Sequence, residues 1–70
     1  MFNGWRKLTK KSVVVNLRSG KAFHGVLFDT QGDLLILKQA MLYDPEAHDP
    51  VSVDGDVVVE RLEVEFIQVL

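Results

Sequence analysis

Between Ser12 and Asp29 the chain alternates apolar and other positions in a way that predicts two strands joined by a tight turn. Val13, Val15 and Leu17 fall on one face of a strand over 12–17, because side chains alternate across a strand with a period of two. "RSGK" follows and places Gly20 where a tight hairpin calls for positive φ. A second strand runs from Lys21 to Phe28 with Phe23 and Leu27 inward, and Gly25 lies between them on the same face. A glycine inside a strand is costly unless it marks a sharp bend or a close backbone approach, so strand two is expected to curl there. "DTQGD", Asp29 to Asp33, is a second turn. A third strand covers about Leu34 to Leu42, and the unbroken run Leu34, Leu35, Ile36, Leu37 predicts burial on both faces. "YDPEAHDP" has two prolines and three acids and reads as a loop. A fourth strand spans about Val51 to Glu60, interrupted by "DGD" at 54–56. The fifth spans Leu62 to Leu70, where Leu62, Val64 and Phe66 alternate against Glu63 and Glu65.

Ahead of the strands, Asn3 is placed as the N-cap of a short helix over about Gly4 to Lys10. Phe2, Trp5 and Leu8 recur every third residue and form a narrow apolar stripe. Two turns of helix are not stable alone, so this one must dock, most naturally on the open end of a sheet. Trp5 is therefore read as a packing residue rather than a base-stacking platform. The fold class that follows is mostly β: a short N-terminal helix, then a strongly bent five-stranded antiparallel barrel of SH3-like type, in one domain over 1–70.

The length of 70 residues changes what such a barrel can be. A monomer this small buries only about 60% of its unfolded surface. Small folds make up the deficit with disulfides, a metal or self-association. The chain has no cysteine, and its two histidines, His24 and His48, sit in no ligand-like cluster, so neither a disulfide nor a metal is expected. No cofactor is called for. At 47% hydrophobic the chain is rich in apolar residues for its size, and "VVVE" and "FIQVL" form apolar strands near one end. Unprotected strand edges of this kind pair with another chain. No segment reaches the roughly 18 apolar residues of a membrane helix. "MFNGWRKLTKK" lacks the apolar stretch of a signal peptide, and the lack of cysteine fits a reducing compartment; no membrane partner and a cytoplasmic location are expected.

Charge adds a partner class. The net charge is −2, but residues 1–28 carry Arg6, Lys7, Lys10, Lys11, Arg18 and Lys21 with no acid, and residues 29–70 carry all ten acids against Lys38 and Arg61. Such asymmetry points to an anionic partner for the N-terminal part or to head-to-tail contacts between subunits.

With these elements in place, "VVVNLRSGKAFHGVL" resembles the first motif of the Sm and Sm-like family. Val13, Val15, Leu17, Gly20, Phe23, Gly25 and Leu27 match it in order and spacing. "GDVVVERLEVEFI" is similar to the second motif, and residues 4–10 stand where the family has its helix. The resemblance implies rings of five to eight subunits in which the fourth strand of one chain pairs with the fifth of its neighbour. Val57, Val58, Val59, Val64, Phe66 and Ile67 would then form the subunit interface. It also implies single-stranded, often U-rich, RNA as a partner at the central pore. The chain departs from the family at those RNA-binding positions. The loop after strand two is "DTQGDL", opened by Asp29, with Asp33 or Leu34 where the family has a base-reading asparagine. The Arg-Gly turn before the last strand is Glu60-Arg61. An aspartate cannot donate to a base acceptor and repels phosphate. Arg61, one position along, would point the opposite way in a strand.

The candidate RNA-binding positions are thus Arg6, Lys7, Lys10 and Lys11 as phosphate contacts, with Asp29, Asp33, Glu60 and Arg61 at the pore. Ser12, Ser19 and Ser52 have no neighbouring base, "RSGK" is too short for a phosphate loop, and "DPEAHD" lacks calcium-ligand spacing; no catalytic group is found and no enzyme activity is expected. Two functions are compatible with this. One is a non-catalytic ring that binds single-stranded nucleic acid. The other is a structural or protein-adaptor ring, for example a virion-associated component, without RNA binding.

Overall fold

The computed structural model describes residues 3–70; Phe2, the first residue of the expected apolar stripe, lies outside the described residues. The N-terminal helix runs Asn3–Leu8 and is a 3₁₀ helix, tighter and shorter than the helix over 4–10 that the sequence suggests, and Asn3 belongs to it instead of preceding it. Its end is held by three-residue bonds, Thr9 N to Arg6 O at 3.2 Å and Lys11 N to Leu8 O at 3.1 Å. Lys10 takes φ 69°, which stops the helix. The segment then docks on the second strand through Lys10 N to Leu27 O (2.6 Å) and Leu27 N to Lys11 O (3.0 Å).

The strands are β1 (Ser12–Leu17), β2 (Ala22–Gln31), β3 (Leu34–Tyr43), β4 (Val51–Ser52), β5 (Val57–Glu60) and β6 (Val64–Val69). They form one strongly bent antiparallel sheet in the order β4-β3-β2-β1-β6, with β5 also pairing β3. β4 and β5 are the two halves of the interrupted fourth strand. Val13, Val15, Leu27, Leu35, Leu37, Ala40, Val59 and Val64 are buried, and Trp5, Leu8, Leu17, Phe23, Val57 and Ile67 pack against them. Gly20 has φ 95°, as the "RSGK" hairpin requires.

Two bulges bend the long β2–β3 pair. His24 faces Met41 and Val26 faces Lys38, so Gly25 alone opposes Gln39 and Ala40. Further on, Leu27 faces Leu37 and Asp29 faces Ile36, which leaves Phe28 as the extra residue on β2. Each bulge adds twist and a local kink. Gln39 sits at φ 54°, a left-handed conformation that costs a side chain about 1–2 kcal/mol. Glycine there loses about 0.5–1 kcal/mol of that advantage to the unfolded state. Gln39→Gly is therefore expected to raise stability by up to about 1 kcal/mol, visible as a melting temperature higher by about 4–8 °C.

Three expectations are corrected. β2 continues to Gln31, because Thr30 and Gln31 pair with Leu35 and Leu34; the turn shrinks to Gly32 and Asp33. The run Leu34–Leu37 is buried on one face only: Leu35 and Leu37 are in the core, Ile36 is half-buried and Leu34 is 37% exposed. No second layer within the described residues covers the outer face. The regular alternation of Leu62, Val64 and Phe66 does not survive. Arg61–Glu63 is a single 3₁₀ turn, and the pairing steps from Leu17–Val64 to Asn16–Phe66, so Glu65 bulges. Val64 stays inward, Phe66 turns outward at 51% exposure, Ile67 takes the inward place and Leu62 is 70% exposed.

β4 and β5 lie along one edge of the sheet and β6 along the other, and two bonds fix which groups of β5 and β6 face outward. Arg61 N donates to Asp33 O (2.8 Å), which extends the β5–β3 register by one pair. Antiparallel donors alternate sides from residue to residue. Val57 and Val59 therefore bond β3, while Val58 and Glu60 turn their backbone groups to the open edge. Leu70 N donates to Ser12 O (3.0 Å) and extends the β6–β1 register likewise. Phe66 and Gln68 bond β1, and Ile67 and Val69 face the other open edge. Of the six interface candidates, Val59 and Val64 have core side chains, Val57 and Ile67 are half-buried against the core, and Val58, 56% exposed, and Phe66 present apolar surface to solvent.

Candidate nucleic-acid interface

The basic segment comes first along the chain. Arg6, Lys7, Lys10 and Lys11 are all exposed. They cannot scatter, because the helix end is tied to β2 at Leu27 by the two backbone bonds described above. The four cations thus sit on one docked segment with no acid in the same stretch of sequence. Lysines held this way suit phosphate contacts and carry little base preference.

The pore candidates divide. Asp29 is occupied within its own strand: Oδ1 accepts from Thr30 N at 2.8 Å and Oδ2 from Gln31 Nε2 at 3.4 Å. Its carboxylate shapes the end of β2 where the sequence suggests a nucleic-acid contact. Asp33, Glu60 and Arg61 are brought together, since Arg61 N donates to Asp33 O and Glu60 pairs with Leu34. Asp33 and Glu60 are exposed and add negative charge at the place where the family resemblance implies base reading.

Arg61 is not in a strand at all. It opens the 3₁₀ turn and lines a cleft of about 170 Å³ together with Trp5, Arg18, Val64 and Glu65. The turn after β1 is clipped to that 3₁₀ turn, with Arg18 Nε donating to Leu62 O and Arg18 N to Glu63 O, both at 2.9 Å. These bonds fix Arg18 beside Arg61. No spacing in the sequence points to this group, because its members come from the helix, the first hairpin, the 3₁₀ turn and the start of β6. A second cleft of about 180 Å³ lies outside the Gly25 bulge, lined by Ser12, His24, Val26, Gln39 and Met41. On the same face the His24 and Tyr43 rings lie 6.2 Å apart. Lys38 Nζ lies 4.1 Å from the Phe28 ring centre and 3.8 Å from Asp56 Oδ1, a surface latch between β3 and the "DGD" interruption. Among the described residues no group of three or more His, Asp or Glu is arranged for a metal, and no helix is long and apolar enough to cross a membrane.

No protein-family model matches the chain, and no curated protein is similar to it in sequence. Solved structures are similar in fold. A heptameric archaeal Sm protein superposes with a TM-score of 0.79 at 24% identity, over 96% of both chains. A chain in the crystal structure of the NatC complex bound to CoA superposes with a TM-score of 0.75 at 19% identity, over 87% of this chain and 77% of that one. The fold is Sm-like.

Proposed function

We propose that this chain is a ring-forming Sm-like module that binds single-stranded nucleic acid, without catalysis, through its N-terminal basic segment. Support for the ring comes from the two open edges. β5 offers the outward groups of Val58 and Glu60, β6 those of Ile67 and Val69, and Val58 and Phe66 leave apolar surface beside them. The heptameric assembly of the archaeal Sm protein, whose fold this chain shares, supports the same arrangement. The observation that carries the nucleic-acid half is the exposure of Arg6, Lys7, Lys10 and Lys11 on one docked, acid-free segment. With Asp33 and Glu60 in place of base-reading groups, the contact is to backbone phosphate and not to sequence at the pore.

Light scattering with and without a U-rich oligonucleotide tests both halves. The expected mass is five to eight times 7.9 kDa, with a further increase on adding the strand. Affinity is expected to fall steeply with salt, each neutralised phosphate contributing about −0.7 to the slope of log K against log salt for single strands. Changing Lys7, Lys10 and Lys11 together to glutamine removes three candidate contacts and flattens the slope by up to about 2, weakening all sequences alike. A second reading, a structural or protein-adaptor ring, is favoured by the exposed acids Asp33 and Glu60 and by the likeness to a chain of the NatC complex. It replaces the first if no strand binds at about 50 mM salt, where the electrostatic attraction is strongest.

A further inference from the structure

We propose that the outer face of β1, β2 and the end of β3 is a docking surface for a second copy of this chain, met face to face about a two-fold axis. The contact is separate from the strand edges of the ring and from the basic segment, and it rests on neither of those readings.

The strand register lines up the outward side chains in rows. Val13 and Val15 are in the core, so Val14 and Asn16 point outward, and so do the residues paired with them. One row reads Phe66, Asn16, Ala22, Tyr43 across β6, β1, β2 and β3. The next reads Gln68, Val14, His24, Met41, Ser52 and ends on β4. Neither row holds an Asp, Glu, Lys or Arg, although 26% of the chain is charged. Charges return at the two ends of the face and are paired within the chain. Lys21 meets Asp44 at 3.7 Å next to the Ala22–Tyr43 pair, and Lys38, opposite Val26, meets Asp56 at 3.8 Å. A surface depleted of charge and supplied with Phe, Tyr and Met has the composition of an interface core. Phe66 and Gln68 border the β6 edge, so the contact is centred on β1, β2 and β3.

Symmetry selects the occupant. In a two-fold contact the same patch lies on both sides, so a charged patch would meet its own sign near the axis. Asn16, His24, Tyr43 and Ser52 each carry a donor and an acceptor, and so can pair with copies of themselves. The face also holds both an anchor and a seat. Tyr43 is 40% exposed, and the cleft of about 180 Å³ lined by Ser12, His24, Val26, Gln39 and Met41 opens one row away. An axis between the two sets each copy's tyrosine over the other's cleft, twice in one contact. Gln39, kept at φ 54° despite its cost, offers an amide there to the phenol oxygen. Five strands about 4.8 Å apart and rows about 7 Å apart make a face of roughly 300 Å², or about 600 Å² from two copies. Stable interfaces bury about 1,200–2,000 Å², so a single contact of this kind is weak and forms only at high concentration.

Sedimentation equilibrium of the full chain from about 10 µM to about 1 mM tests the contact, on the wild type and on Val58→Pro, which strips a donor from the β5 edge. The expected result is a mass that doubles with concentration in both. The wild-type unit becomes twice itself, and the Val58→Pro chain rises from 7.9 kDa to twice that mass. The doubling should be the same at about 50 and about 500 mM salt, because no charge pair crosses the face. Tyr43→Asp and Ser52→Asp, both at exposed positions, set like charges against each other and should each weaken the doubling about tenfold or more. Circular dichroism checks that both variants keep the wild-type fold. A mass that stays constant up to about 1 mM overturns the proposal and leaves the ring and strand-binding readings untouched. A doubling that disappears at about 500 mM salt also overturns it, since the basic part of one copy then meets the acidic part of another. So does a doubling that both aspartate variants keep, which would use another surface. Doubling of the Val58→Pro chain supports the face whether or not the ring forms.

Discussion

Replacing Gly25 with valine is expected to unfold the chain. A Cβ at this position would lie 2.9 Å from the carbonyl oxygen of Lys38, 3.1 Å from the Cα of Ala40 and 3.3 Å from its Cβ. Two of these three atoms are backbone, and they belong to the bulge through which β2 and β3 bend, so neither can step aside without straightening the sheet. Overpacking alone costs about 1–3 kcal/mol, and Gly25→Ala should show this as a melting temperature lower by about 4–8 °C per kcal/mol. Valine adds two more methyl groups to the same gap. Net stability for a chain of this length is on the order of 4–10 kcal/mol, so the larger residue takes most or all of it. Thermal melts followed by circular dichroism, at equal protein concentration because the proposed self-association would raise apparent stability, decide the matter. An unchanged melt for Gly25→Val would remove the bend from this position.

That glycine was legible because its reason is local: a strand pattern with one missing side chain on the inward face. The boundaries of β1, from Ser12 to Leu17, were legible for the same reason. The errors arose where the deciding force is not local. Leu34 to Leu37 looks buried on both faces, yet among the described residues no second layer covers Leu34 and Ile36, and hydrophobicity by itself does not say what will cover it. Leu62, Val64 and Phe66 form a faultless two-residue period, but Arg61–Glu63 has to turn the chain between two edges of the sheet, and the 3₁₀ turn with the Glu65 bulge resets the phase. Arg61 lies in that 3₁₀ turn and not in a strand, so strand alternation does not set its direction. The basic segment was visible as a charge run. The Trp5–Arg18–Arg61–Glu65 cleft was not, since no spacing rule joins residues that meet only after the first hairpin is clipped to the last turn.

In the ring proposed above, placing proline at Val58 is expected to dissolve the assembly while leaving the chain folded. Val58 turns its backbone N–H away from β3, so proline there removes no bond inside the protomer. It does remove a donor from the open edge and puts a ring in the path of a neighbouring strand. A closed ring repeats that loss at every joint, which makes the effect on mass far larger than one hydrogen bond suggests. Light scattering should give about 7.9 kDa with the strand signal of circular dichroism intact. Val59→Pro is the matched control: it strikes a bond to β3 and a core side chain, and should unfold the protein. A Val58→Pro variant that keeps the wild-type mass would show that β5 is not the joining edge.

The two open edges are different strands with different side chains, so each chain has a head and a tail. Association through them, in the ring proposed above, would be heterologous and would end only when the last tail meets the first head. A chain damaged at one edge remains competent at the other. It can join a growing arc once and then ends it, as a terminating nucleotide ends a polymerase product. The fraction of intact rings in a mixed population would be the undamaged share raised to the power of the subunit number, so it falls faster than the damaged share rises. A substitution that blocks only an outward edge group, such as Val58→Pro, would behave genetically as dominant in such a ring, whereas one in the core, Val59 and Val64 included, removes only its own chain from the pool and would be recessive.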